Sequence, residues 1–207
     1  MLICLSTILP VTAQAFEKHG YVNVDASNVV IVPNDSNVHV NSSALRILLG
    51  KAINRFMQAE GVFAFGAGEG MFSETNSGQD EFLGAYNADF NMAVKLKSMF
   101  GVNVRINALV TNWINLYSKF GFVSVNLKET VAGTGTLAGG DFGNVSGGFS
   151  ETYTKGGAGL EYGVGLDVEF SDRHALGMEL MVLPTVKGNY KEYRLASFSL
   201  GYIFSFK

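Results

Sequence analysis

The sequence predicts an all-β chain, closed into an up-and-down antiparallel barrel of eight strands that crosses a membrane. Three observations carry this. Apolar residues alternate with glycine, serine and charged residues at period two over long stretches. The joins between these stretches are short at one end and long at the other. The chain is also apolar overall without a run that could form a membrane helix. Of its 207 residues, 47% are hydrophobic and 16% charged, against roughly 25% charged in an average soluble domain. Mean hydropathy is +0.20, yet no stretch of about 18 consecutive apolar residues supplies a spanning helix. The net charge of −3 argues against nucleic acid as a partner, because phosphate binding needs a basic face.

Residues 1–15 read as an export signal. Leu2, Ile3, Leu5, Ile8, Leu9 and Val11 form a short apolar region, and Ala13 and Ala15 supply the small side chains of a cleavage site before Phe16. The basic residues that usually open such a signal are missing, which points to a translation start further upstream. Cys4 lies ahead of most of the apolar region, so it is not read as a lipid-modified cysteine. Residues 16–207 remain as one barrel domain without cysteine, and export is not used to form disulfides.

The strands follow in order. Val22 and Val24 oppose Asn23 and Asp25; Leu45, Ile47 and Leu49 oppose Arg46, Leu48 and Gly50. Met57, Ala59, Gly61, Phe63 and Phe65 oppose Gln58 and Glu60. Phe100, Val102, Val104 and Ile106 oppose Gly101, Asn103 and Arg105, and Ile114, Leu116, Phe120 and Phe122 oppose Tyr117, Lys119 and Gly121. The clearest stretch runs from Ala158 to Phe170, where alternation puts every apolar side chain on one face and every charge or glycine on the other. Leu176 to Val182 and Phe198 to Phe206 repeat it, with Ile203 as an exception.

Short joins fall near Asn54-Arg55, Ala108 to Asn112 and Ser171-Asp172-Arg173; long ones run Val30 to Asn41, Gly68 to Val94, Glu129 to Lys155 and Thr185 to Tyr193. Segregated loop lengths are the pattern of a transmembrane barrel with periplasmic turns and outer loops. In lipid every backbone polar group must be paired, so the sheet closes, the apolar face meets hydrocarbon and the glycine-and-charge face points inward. Trp113, Tyr162, Phe170, Tyr202, Phe204 and Phe206 supply interfacial girdles. A soluble lipocalin-like barrel would show the same alternation turned inside out.

Inward charges on this parity are Arg46, Lys97, Arg105 and Lys119 with Glu60, Glu161, Asp167, Glu169 and Glu179. Eight strands leave an interior that side chains fill, so these predict an ion-pair network plugging the lumen, with Gly159, Gly163 and Gly165 making room for long partners. The functional alternative is a narrow ion path.

The mature chain resembles the small eight-stranded outer-membrane barrels of the OmpA/OmpX type. Ser199-Leu200-Gly201-Tyr202-Ile203-Phe204-Ser205-Phe206 is similar to the C-terminal signal read by the outer-membrane assembly machinery, with Ser199, Gly201, Phe204 and Phe206 in the matching positions. Leu116 to Phe122 resembles a strand common in such barrels. Lys207 departs from the pattern, since the family usually ends on the aromatic residue. The resemblance implies a non-enzymatic protein of the outer membrane of a Gram-negative bacterium, monomeric, lying among outer-membrane lipids and lipopolysaccharide. Its loops would serve adhesion, host contact or envelope integrity.

Some barrels of this size are lipid-modifying enzymes with a histidine and a serine at the outer rim; His19, His39 and His174 are poorly placed for that. Neither a metal-ligand spacing nor a dinucleotide fingerprint is present, so no cofactor is expected. The second long loop carries Glu69, Glu74, Asp80, Glu81 and Asp89 without lysine or arginine between Gly68 and Val94. It reads as a solvated acidic loop, and as a place where calcium, magnesium or a basic partner could bind. The glycine-rich third loop reads as mobile and so as a further place for binding.

Overall fold

The computed structural model describes residues 20–33, 38–80, 84–139, 144–188 and 192–206. The expected export signal, His19, Glu81 and Lys207 lie outside them. The elements are β1 (Gly20–Pro33), β2 (Val40–Ala52), β3 (Met57–Gly66), β4 (Gly70–Asp80), β5 (Gly84–Leu109), β6 (Ile114–Ala138), β7 (Val145–Ser171), β8 (His174–Gly188) and β9 (Glu192–Phe206). Neighbours pair antiparallel, and β1 closes the sheet by pairing with β9 from Gly20↔Phe206 to Pro33↔Tyr193.

There are nine strands rather than the expected eight, because one position in the wall is interrupted. β3 pairs with the lower part of β5, from Met57↔Ile106 to Phe65↔Ser98, and β4 with its upper part, from Gly70↔Val94 to Asp80↔Gly84. The ring therefore has eight positions, with β3 and β4 sharing one. The interruption is held by Ser43, whose carbonyl accepts the Ala67 N–H at 2.8 Å. It needs glycine: a Cβ on Gly66 would lie 1.7 Å from the Leu96 carbonyl oxygen, and one on Gly70 2.1 Å from that of Asn41. At the same height β5 carries a bulge between Leu96 and Ser98.

The short turns have local causes. Asn54 Oδ1 accepts the N–H groups of Phe56 and Met57, both at 2.9 Å, and Thr111 Oγ1 accepts those of Trp113 and Ile114. At the other end, the segments read as the second and third long loops are β-structure. β4 and β5 form one hairpin, and β6 and β7 extend as paired strands to Leu137↔Val145. Gly84 and Gly139 hold positive φ at the hairpin tips. Above the ring, β4 to β7 thus form a protruding four-stranded sheet. Among the described residues, β4 pairs only with β5, and β7 pairs with β8 only from Gly157↔Gly188 downward.

The interior has two storeys. The lower one, toward the short turns, is polar and charged, as the alternation predicts. The upper one is not: Val29, Ile31, Val62, Leu96, Val123, Val125, Leu183 and Leu195 pack there as one buried apolar cluster, which Leu48 joins from β2 one inward step nearer the short turn than Arg46. The expectation that the whole inward face is glycine and charge is corrected at this level. Outside, Leu45, Phe63, Phe100, Phe122, Leu160, Leu180, Phe198 and Phe206 stand exposed around the wall. On β9 this apolar band runs from Phe206 up to Ala196, where Arg194 follows on the same face. About ten residues rising about 3.4 Å each and tilted about 45° give a height of about 24 Å, the thickness of the apolar belt of outer-membrane barrels.

Candidate functional site: the filled lumen and the outer rim

The lower storey is built by strands that place alternate residues inward, so each charge arrives from a different stave. Arg46 on β2 meets Asp25 on β1 (Nη2 to Oδ2, 2.9 Å) and Glu179 on β8 (Nη1 to Oε1, 2.6 Å), and donates to Ser199 Oγ on β9 at 2.9 Å. Lys119 on β6 places its Nζ 2.8 Å from Glu179, 3.3 Å from Glu161 and 3.8 Å from Glu60. Arg105 on β5 pairs with Asp167 on β7 and lies 3.8 Å from Glu60. Its guanidinium rests 3.6 Å from the centre of the Tyr117 ring. The Tyr21 hydroxyl donates to Glu60, Tyr117 to Glu179 at 3.1 Å, and Asn103 Nδ2 to Glu161 at 3.0 Å. The charged side chains are all nearly inaccessible to solvent, and the pairs link into one ladder from Asp25 to Asp167. Fully ionised, its three cations face five carboxylates.

Seven of the nine charges assigned to the lumen lie in this ladder: Arg46, Glu60, Arg105, Lys119, Glu161, Asp167 and Glu179. Glu169 is half-buried at the lower mouth, beside a cavity of about 40 Å³ that Tyr21, Arg105 and Asn115 also line. Lys97 is a correction: it is exposed, because the bulge at Leu96/Ser98 shifts the parity of β5 there. Glycines do make room. A Cβ on Gly165 would lie 2.2 Å from the Tyr117 ring, and one on Gly163 3.0 Å from Lys119. Gly159 instead faces the Thr185 carbonyl at 2.3 Å, a close approach of backbone rather than room for a side chain.

Asp25, Tyr21, Tyr117 and Ser199 were not assigned to the network from sequence. Asp25 and Tyr117 fall on the inward side of their alternation without being marked as members of the network, and Tyr21 stands just before the pattern that opens at Val22. Ser199 and Gly201, matched to the assembly signal, face the lumen: Ser199 on Arg46, and Gly201 where a Cβ would lie 2.5 Å from that of Asp25. Phe204 and Phe206 of the same signal point outward.

A second polar cluster, also unforeseen, spans the top of the apolar storey. Lys155 on β7 donates to Glu129 on β6, and the Tyr193 hydroxyl on β9 donates to the same carboxylate at 3.0 Å. These residues stand above the apolar band, level with the outward Lys128 and Arg194. Burial pulls the Lys155 ammonium down, but hydrogen bonds to Glu129 and Tyr193 and their charges outweigh it, and its pKa is raised. Burial, with Glu129 beside it, raises the Tyr193 hydroxyl too.

The acids of the second loop do not converge. Glu74 lies on the same side of the hairpin as Phe72, while Asp89 lies on the other, accepting from Thr75 Oγ1 at 2.7 Å. Glu69 is exposed at the interruption, and the side chains of Asp80 and Glu81 are outside the described set. Among the described residues no three His, Cys, Asp or Glu side chains come together to hold a metal ion.

Two faces distinguish the protruding sheet. Phe72 and Met92 pack onto the apolar storey, and Phe90, Val131, Phe149 and Tyr153 continue their side upward. The opposite side carries Ser73, Thr75, Asn91, Thr130, Thr134, Ser150 and Thr152.

A closed sheet with an apolar belt outside, a packed lumen and short turns at one end defines an integral membrane β-barrel. The chain belongs to the family described as "Outer membrane protein beta-barrel domain", which matches residues 1–206. It is an outer-membrane protein. No curated protein matches it by sequence. Among solved structures it is similar to Ail, the attachment invasion locus protein of Yersinia pestis, at 13% identity and a TM-score of 0.51, covering 92% of this chain and 99% of that one. It is also similar to Neisserial surface protein A, at 14% identity and a TM-score of 0.52, covering 91% and 97%. At these identities the likeness is one of fold.

Proposed function

We propose that this barrel is a sealed anchor whose protruding sheet makes contacts at the cell surface, in adhesion, host contact or envelope integrity. The observation that carries the reading is the double filling of the lumen. A charge ladder lies below and a packed apolar cluster above, so an ion would meet both a buried network and a constriction that excludes water. With the lumen filled, the sheet of β4 to β7 is the part available to a partner. Its exposed aromatics include Phe90 on β5, and Phe149 and Tyr153 on the part of β7 that, among the described residues, pairs only with β6, a kind of edge that monomeric proteins usually blunt. Ail, the attachment invasion locus protein, has the same fold.

Catalysis is not part of the proposal. Among the described residues His39 is exposed before β2, His174 bonds the Tyr202 hydroxyl, and neither is hydrogen-bonded to a serine. Two measurements test the reading. In planar bilayers the refolded protein gives no discrete conductance steps; steps would favour the narrow channel. Shortening both hairpins, by removing residues 73–91 and 134–148, abolishes attachment of expressing cells to cultured epithelial cells and leaves the ring folded. Undiminished attachment would refute the role of the sheet.

A further inference from the structure

The outer wall carries one feature that the lumen and the protruding sheet do not explain. In the β5–β6 register Lys95 lies directly opposite Lys128. Both point away from the lumen, since Lys95 stands between the buried Val94 and Leu96, and Lys128 between the buried Leu127 and Glu129. Like charges directly opposed on one face of a sheet repel and destabilise the pair. The bulge then turns Lys97 out to the surface beside them. Among the described residues none of these three lysines makes a hydrogen bond or an ion pair, Glu69 beside the β4 start included.

Their height is informative. Below them on the same strands, Phe100, Val102, Phe120 and Phe122 are exposed to the apolar belt. Lys95 is four rungs above Phe100, the bulge taking up the fifth residue, which at about 3.3 Å per residue and a tilt of about 45° is about 9 Å. Hydrocarbon gives way to headgroups over about that distance. The neighbouring outward groups, Ser98 and Asn126, are polar and hydrogen-bonded to one another at 3.1 Å. The cluster thus faces the headgroup layer on the long-hairpin, outer side of the membrane.

We infer that Lys95, Lys97 and Lys128 form a binding site for the phosphate groups of a phosphorylated lipid in the outer leaflet. The lipid's acyl chains would lie along Phe100 and Phe122 below. Phosphate at the centre of the three ammonium groups turns a repulsive cross-strand pair into an attractive triad, and the adjoining apolar wall selects a lipid over a free anion. The inference rests on the outer-membrane placement derived above.

The test uses the mature chain inserted into phosphatidylcholine nanodiscs, with insertion read by gel mobility, and lipid retention read by native mass spectrometry. Wild type retains bis-phosphorylated lipid A over its dephosphorylated form by at least about tenfold at low salt. The triple substitution K95Q/K97Q/K128Q brings the two to near equality. Lys51→Gln, an exposed lysine at the opposite border of the wall, leaves the preference intact. Retained preference in the triple variant, or displacement of the lipid by millimolar inorganic phosphate, would overturn the inference alone. Failure of wild type to insert would overturn it together with the barrel.

Discussion

Lys119→Met is the substitution that probes the lumen most sharply. Methionine keeps the length of the side chain and removes the charge, leaving Glu60, Glu161 and Glu179 around a neutral group where an ammonium stood within 2.8 to 3.8 Å. Breaking a buried pair by removing one partner typically costs about 3–5 kcal/mol. The structure sets a ceiling through protonation. Five carboxylates would face two arginines, and one carboxyl escapes the added repulsion by taking up a proton. From a reference near 4.3, that costs about 3.7 kcal/mol at pH 7 and about 1 kcal/mol at pH 5. The folded variant then holds more protons than its unfolded chain, so its stability falls as pH rises, and acid rescues it.

The assay is urea unfolding from detergent or liposomes, followed by the fluorescence of Trp113, the only tryptophan in the chain. The deficit relative to wild type is expected to be about 3–4 kcal/mol at pH 7 and about 1 kcal/mol at pH 5. Adding Glu161→Gln recovers part of it as a coupling term. An unchanged midpoint, or equal deficits at the two pH values, would refute the ladder.

Other outcomes follow from the same geometry. Gly50→Ala places a Cβ 2.0 Å from the Tyr21 ring, pushes it off Glu60 and lowers stability by about 1–3 kcal/mol, read as a shift in urea midpoint. Leu183→Ala opens a void in the upper storey, where Leu183 is wholly buried, at a cost of about 2–5 kcal/mol in the same assay. Lys155 is raised in the folded state, so its contribution is complete below the ordinary lysine value near 10.4 and is lost as pH rises through the higher folded value. Wild type therefore loses more stability than Lys155→Met on going from neutral to strongly alkaline pH.

How much of this was legible in the sequence depended on what each face meets. From Ala158 to Phe170 one face meets lipid and the other a packed lumen, so alternation is complete and the strand, its faces and its inward Glu161 and Asp167 could be read directly. Where the wall leaves the membrane, the outer face meets water and becomes serine, threonine and asparagine. β4 and the upper parts of β5 to β7 lost the contrast that marks a strand, and they read as loops. On β2 the inward Leu48 follows Arg46 on the same face, so alternation places it in the lumen without showing that it joins an apolar cluster. Lys97 was misplaced because parity counting cannot see a bulge. The Glu129–Lys155–Tyr193 cluster joins residues from three strands that only ring closure brings together.

The most direct test of the account is the mobility of the mature chain, refolded in detergent and run in SDS with and without boiling. A closed hydrogen-bonded cylinder with no free edge in its ring resists SDS in the cold, so the unboiled protein should migrate apart from the boiled one. A single mobility, together with a soluble monomer in plain buffer, would contradict the closed membrane barrel and place the apolar wall inside.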